Sequence, residues 1–181
     1  MTDFDRFKSE EEVAFAHWCI EAADALIIQG WQYEPITYPL LSQIEHHVDK
    51  VTEYKRKPNK TVRTWKTLLQ AHEYTPDFII VPGGRFEDLK HGLIHYRNPY
   101  YHNDRKPKYV IDVKGTFQRF DGARSFSINQ KWVFDKHGVY VNKVVPQKFF
   151  KKTWVPAAVA FGKNGGRLKR YEDCRLLEDI L

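Results

Sequence analysis

Cysteine is almost missing from this chain: its 181 residues contain only Cys19 and Cys174, in no CxxC pairing. A disulfide framework and a thiolate zinc site are therefore not expected, and Cys19, set among apolar residues of a helical pattern, suits a reducing cytoplasm. Long apolar runs are missing too. No stretch approaches membrane-spanning length, and the N-terminus is acidic and mixed instead of a basic segment before an apolar one. Neither a membrane partner nor an export signal is expected. A third absence is local: from Lys136 to Tyr171 there is no Asp or Glu, against nine Lys or Arg.

What is present describes a folded protein. The hydrophobic fraction of 42% and aromatic fraction of 15% argue against a disordered or fibrous class. The length suits one domain, 1–181, with one active centre and with insertions at about 42–73 and 83–108. A net charge of +6 and a pI near 9.2 favour an anionic partner. A second basic run holds Lys50, Lys55, Arg56, Lys57, Lys60, Arg63 and Lys66. On charge alone, solvated faces that only maintain solubility explain these runs equally well.

Apolar periodicity predicts a helix from about Ser9 to Gln29, stopped by Gly30, and a strand from Trp31 to Tyr38. Residues 42–73 carry no clear pattern. Further strands are predicted at Phe78–Val81, Tyr109–Lys114, Val139–Val145 and Trp154–Phe161, with a short helix at Ser127–Lys136. That order implies an α/β fold, a mixed sheet with helices packed on it.

Three segments place charged groups at the edges of predicted core elements. Asp77, in Thr75-Pro76-Asp77-Phe78, stands at the start of an apolar strand. Asp112 and Lys114 are two residues apart, so they project from one strand face while Ile111 and Val113 face the other way. At about 100° per residue, Glu12 falls within roughly 80° of Ala16, Cys19, Ile20, Ala23, Leu26 and Ile27, and so points into the apolar side of its helix. The same glutamate completes Ser9-Glu10-Glu11-Glu12, the form of a capping box, in which it bonds back to the helix start. The two roles compete. Separately, Asp77 reads as an ordinary turn residue and Asp112 with Lys114 as a solvated strand face.

Together, Glu12, Pro76-Asp77 and Asp112-Val113-Lys114 resemble the PD-(D/E)XK nuclease superfamily, and the predicted elements follow its α-β-β-β-α-β order. Tyr74-Thr75-Pro76-Asp77-Phe78 and Asp112-Val113-Lys114-Gly115 are most similar to phage-encoded endonucleases and Holliday-junction-resolving relatives. The resemblance spans roughly residues 9–145. It implies a restriction-endonuclease-like fold and a metal-dependent endonuclease acting on DNA, with branched or phage replication and recombination intermediates among its substrates. It also implies a cytoplasmic location, that of the host cell for a phage gene, and allows a homodimer.

Phosphodiester hydrolysis needs a water nucleophile near neutral pH and compensation of charge on phosphate oxygens, both of which divalent cations provide. Carboxylates are hard ligands suited to Mg²⁺, with Mn²⁺ able to substitute. The resemblance makes Asp77 and Asp112 the main ligands and the Val113 backbone carbonyl a third; Glu12 would bind a second metal or orient water. Lys114 would contact the scissile phosphate or the attacking water, with Gln130 and Lys131 as accessory groups unless they form only an exposed helix face.

Lys148, Lys151, Lys152, Lys163, Arg167, Lys169 and Arg170 are the candidate nucleic-acid contacts. Phe149, Phe150 and Trp154, interleaved with them, read either as base-packing groups or as core. His46, His47, His91, His95 and His102 lack zinc-ligand spacing, and Gly162–Gly166 lacks the spacing of a phosphate-binding loop. The alternatives are a catalytically idle DNA-binding or assembly protein on the same fold, and an RNA-cleaving member.

Overall fold

Ser9 starts the first helix for a local reason. Its backbone is extended, its Oγ accepts from the Glu12 N–H at 3.2 Å, and three glutamates fill the first turn, where the helix dipole favours negative charge. In the computed structural model, which describes residues 4–89, 91–95, 107–116 and 120–181, this helix, α1, spans Glu10–Asp24. It ends before the expected Gln29. Leu26 adopts a left-handed φ of 57°, and the chain turns directly into β1, Ile28–Tyr33. Ile27 is buried in the turn, so its helical spacing is coincidental.

The remaining strands are β2 (Tyr38–Leu41), β3 (Ile44–Thr52), β4 (Lys60–Leu69), β5 (His72–Tyr74), β6 (Phe78–Pro82), β7 (Tyr109–Val113) and β8 (Val141–Val144). The chain divides into two compact units, one of Met1–Ile36 with Thr75–Leu181 and one of Thr37–Tyr74. In the smaller unit β2 pairs with β5 and β3 with β4, all antiparallel.

In the larger unit the sheet runs β1-β6-β7-β8. The first three strands are antiparallel, and β8 returns parallel to β7 after helix α2, Phe120–His137. A parallel return requires such a crossover. Helix α3 (Pro146–Lys152), opened by Pro146, and the one-turn α4 (Ala157–Ala160) follow. The architecture is mixed α/β, a mixed sheet with several helices.

Alternation along the strands separates two apolar layers. Phe78, Ile80, Ile111, Val113 and Val144 join Phe15 and Trp18 of α1 in the main core, together with Phe149, Phe150 and Trp154. The three aromatics near the basic run are thus core groups, not base-packing ones. Val110 and Val141, register partners of opposite parity, are buried outside that cluster. On their side α2 is fastened to β8: Gln130 Nε2 donates to Val141 O at 2.6 Å, and Lys143 Nζ lies 5.7 Å from the Phe126 ring centre.

The strand expected at Trp154–Phe161 is instead a buried stretch followed by α4. Pro156 caps that helix, and Glu21 of α1 accepts from both Trp154 Nε1 at 2.9 Å and the Ala157 N–H at 2.8 Å. The tertiary hydrogen bonds override the β-prone composition. Part of the expected 83–108 insertion, residues 90 and 96–106, lies outside the described residues. Within the described part, buried Asn142 holds Ile94 against β8, accepting from its N–H at 2.7 Å and donating to its carbonyl at 2.9 Å.

Candidate active site

Strand register brings the two aspartates together. Phe78 pairs with Ile111, so one residue further the register sets Asp77 opposite Asp112, and directly opposed residues project from the same face. Both are buried, at 8% and 2% exposure. The Lys114 N–H donates to Val144 O at 2.8 Å, toward β8. The preceding amide therefore points the other way, and the Val113 N–H donates to Asp77 Oδ2 at 2.6 Å. A strand residue's carbonyl shares the side of its amide, so Val113 C=O is turned toward Asp77 as well.

Lys114 completes the cluster. Its Nζ donates to Asp112 Oδ1 and lies 4.0 Å from Asp77 Oδ2. Two carboxylates against one ammonium leave the cluster short of positive charge in a site with little solvent. Burial, followed by hydrogen bonding to and charge on Asp112, pushes the Asp77 carboxyl up to about 8, against opposing pulls from Lys114 and the Val113 amide. Asp112 Oδ2 is buried and has no donor among the described residues; a proton on Asp77 can fill that need. So can a cation. The available donors, two carboxylates and a backbone carbonyl, are hard oxygens of the kind Mg²⁺ takes, with water completing its shell. Among the described residues no group of three or more His, Cys, Asp and Glu side chains is assembled to hold a metal.

Glu12 is placed differently from the expectation. Its Oε2 accepts from the Lys8 N–H at 2.9 Å and from Tyr33 OH at 2.7 Å, and Ser9 Oγ donates to its Oε1 at 3.2 Å. It is buried on the α1 side of the sheet, whereas parity along β7 sends Asp112 to the opposite side. Three donors therefore hold this carboxylate at the start of α1, the role that competes with ligation. It remains electrically close, since Lys8 and Tyr33 both feel Glu12 and Asp77. Burial and the Glu12 hydrogen bond push the Tyr33 hydroxyl pKa up, so it stays a donor.

The acid of α1 that approaches the end of β7 is Glu11. A Cβ on Gly115 would lie 2.9 Å from Glu11 Oε1. At about 100° per residue Glu11 falls near the rim of the apolar side of α1, and phase carries no information about which loop lies against a rim.

The accessory and basic groups divide similarly. Gln130 satisfies the Val141 carbonyl, a structural task, and Lys131 is exposed. Arg167 donates from Nε to Tyr171 O at 3.2 Å and from Nη2 to Cys174 O, which ties down the C-terminal segment and removes it from the free cations. Lys151 lies 3.9 Å from Asp173, both exposed. Lys148 and Lys152 join Lys143 and His91 around one cavity of about 360 Å³. Arg170 lies over Tyr171 and, with Glu10 and Glu11, beside Thr116. Lys163 and Lys169 are exposed, the first on the turn that the Gly162 N–H closes onto Gly166 O at 2.9 Å.

Comparison of the chain with family models, curated proteins and solved structures finds no match. Among the described residues no helix is long and apolar enough to cross a membrane.

Proposed function

We propose that the protein is a divalent-metal-dependent nuclease that hydrolyses DNA phosphodiester bonds at Asp77, Asp112 and Lys114. The observation that carries this reading is the buried carboxylate pair, with an acceptor at Asp112 Oδ2 that no donor among the described residues fills. An arrangement of two like charges facing each other costs stability unless a proton or cation sits between them. The α1-β1-β6-β7-α2-β8 order of the larger unit supports the same reading, because it is the order that the superfamily resemblance implies.

Asp77, Asp112 and Val113 C=O would hold Mg²⁺, with Mn²⁺ as a substitute. Bound there, it would supply positive charge to phosphate oxygens and lower the pKa of water. The chain supplies the rest. Val113 N–H fixes Asp77, and Asp112 holds Lys114, whose ammonium is partly exposed and able to donate to a phosphate oxygen. Its contact with Asp112 and its 4.0 Å approach to Asp77 suit electrostatic stabilisation over proton abstraction. Glu12 acts at one remove, holding the start of α1 and Tyr33.

The test is cleavage of supercoiled plasmid, linear duplex, single strand and a synthetic four-way junction, with Mg²⁺ or with EDTA, by wild type and Asp112→Asn. Cleavage by wild type alone and only with metal is the expected result. DNA binding without cleavage of any substrate would overturn it in favour of an idle binding protein, and preferential cutting of matched RNA would reassign the substrate.

A further inference from the structure

The smaller unit carries a surface that the site chemistry does not use. β3 and β4 form a two-stranded antiparallel ribbon from Glu45↔Thr67 to Thr52↔Lys60 without a break in register. A two-stranded ribbon is marginal by itself in water, and this one is exposed along almost all of β4. Trp65 is 64% exposed.

Its two faces differ in charge. Register and alternation put Glu45, His47 and Asp49 on one face with Thr67, Trp65 and Arg63. There the Arg63 Nε–Asp49 Oδ1 pair, at 2.9 Å, is internally neutralised, and His47 lies against Trp65 with ring centres 3.6 Å apart. The other face holds His46, Lys50, Lys60 and Lys66 with Val48 and Val62, and no acid. All three lysines are exposed, and among the described residues none is in an ion pair. The turn beyond adds Lys55, Arg56 and Lys57, also exposed, and is closed by the Tyr54 N–H donating to Asn59 Oδ1 at 3.2 Å.

We infer that the β3–β4 ribbon is a DNA-reading arm that lays its Lys50/Lys60/Lys66 face in the major groove of a duplex. The inference rests on DNA as the substrate in the proposed reading. A B-DNA major groove, about 12 Å wide, admits a two-stranded β-ribbon. Strands of this length reach about 30 Å, close to one helical turn. Lysines at the ribbon margins meet phosphates, while Val48 and Val62 offer apolar contact of the kind thymine methyl groups accept. The deep, narrow major groove of duplex RNA does not admit such an arm.

The experiment uses the full-length Asp112→Asn protein in EDTA, so that cleavage does not interfere. It measures anisotropy of a labelled duplex of roughly two helical turns, with and without Lys50→Ala/Lys60→Ala/Lys66→Ala, across a salt series. The expected result is a Kd at least about tenfold weaker, with the log Kd against log salt slope reduced by roughly 0.9 per lysine that meets a phosphate. The thermal midpoint should be unchanged, since the three side chains are exposed. Single-stranded DNA and duplex RNA should lose little.

Unchanged Kd and slope would overturn the arm, and an equal loss on all three nucleic acids would overturn its groove assignment. A changed oligomeric state with intact DNA binding would also overturn the inference, reassigning the ribbon to protein association. The two readings fail separately: lysine-dependent binding without Asp112-dependent cleavage sinks the nuclease and leaves the arm. Asp112-dependent cleavage with no effect of the lysines does the reverse.

Discussion

The Val113 amide donates to Asp77 Oδ2 at 2.6 Å, so the residue between Asp112 and Lys114 fixes the acid on the neighbouring chain segment. Removing the acceptor and removing the charge are therefore different perturbations. Asp77→Ala leaves a buried N–H unpaired and is expected to cost about 1–3 kcal/mol. Asp77→Asn keeps an acceptor oxygen and should unfold near the wild-type midpoint. Both should lose cleavage by more than about a hundredfold, the upper end of the loss when only a supporting metal-site partner is removed. Calorimetry beside a plasmid-cleavage assay separates these effects.

The Asp77 carboxyl also makes stability depend on pH. Its pKa is raised in the folded state, from 3.8 to about 8, chiefly by burial. Between those values the folded chain holds a proton that the unfolded chain has released. Its contribution is fully present below the unfolded pKa and is lost as pH rises through the folded one, with a slope of at most about 1.4 kcal/mol per pH unit. In EDTA the wild-type midpoint should fall from pH 5 to pH 8 more steeply than that of Asp77→Asn. Parallel curves for the two proteins would contradict the shift.

A cation that replaces the shared proton stabilises only the folded chain. At pH 8, Mg²⁺ should raise the wild-type midpoint by an amount that grows with its concentration. Asp112→Asn, which removes one ligand and the repulsion together, should start higher in EDTA and respond little. A thermal-shift titration reads both features. Equal responses in the two proteins would place Mg²⁺ elsewhere.

Asp77, Asp112 and Lys114 were legible in the sequence because period two and the adjacency of two strands suffice to bring them to one face. Glu12 was half legible: the helical wheel aimed it inward, and Ser9 supplied a capping partner, but azimuth alone cannot say on which side of the sheet the helix lies. Residues 44–69 resisted reading because a ribbon exposed on both sides has no apolar face to produce alternation. The boundary of α1 overran since Leu26 and Ile27 continue the helical spacing while serving the turn into β1. At Trp154–Phe161, the hydrogen bonds of Glu21, more than a hundred residues away, decide the conformation.

Glu12 itself supplies a test of the two roles that the sequence left open. With its carboxylate held by Lys8, Ser9 and Tyr33, Glu12→Gln should destabilise the fold by about 0.5–2 kcal/mol, as the loss of a helix cap does. It should leave kcat on saturating DNA far less affected than Asp112→Asn. A hundredfold loss of kcat with unchanged stability would return Glu12 to the reacting centre.

Gln130 yields the opposite kind of contrast, between an accessory role and a structural one. Its Nε2 donates to Val141 O at 2.6 Å, a carbonyl on the outer strand of the sheet, and Gln130→Ala removes that donor. The expected cost is about 1 kcal/mol, with kcat on saturating DNA unchanged, because a group used only to seat α2 contributes nothing that differs between bound substrate and transition state. Gln130→Glu replaces the donor with an ionised acceptor facing a carbonyl and should be less stable than Gln130→Ala. Denaturant unfolding of the three proteins gives the order, and single-turnover cleavage gives the rate. If Gln130→Ala slows the chemical step while its stability stays at the wild-type level, the side chain must leave Val141 when DNA binds and act at the phosphate.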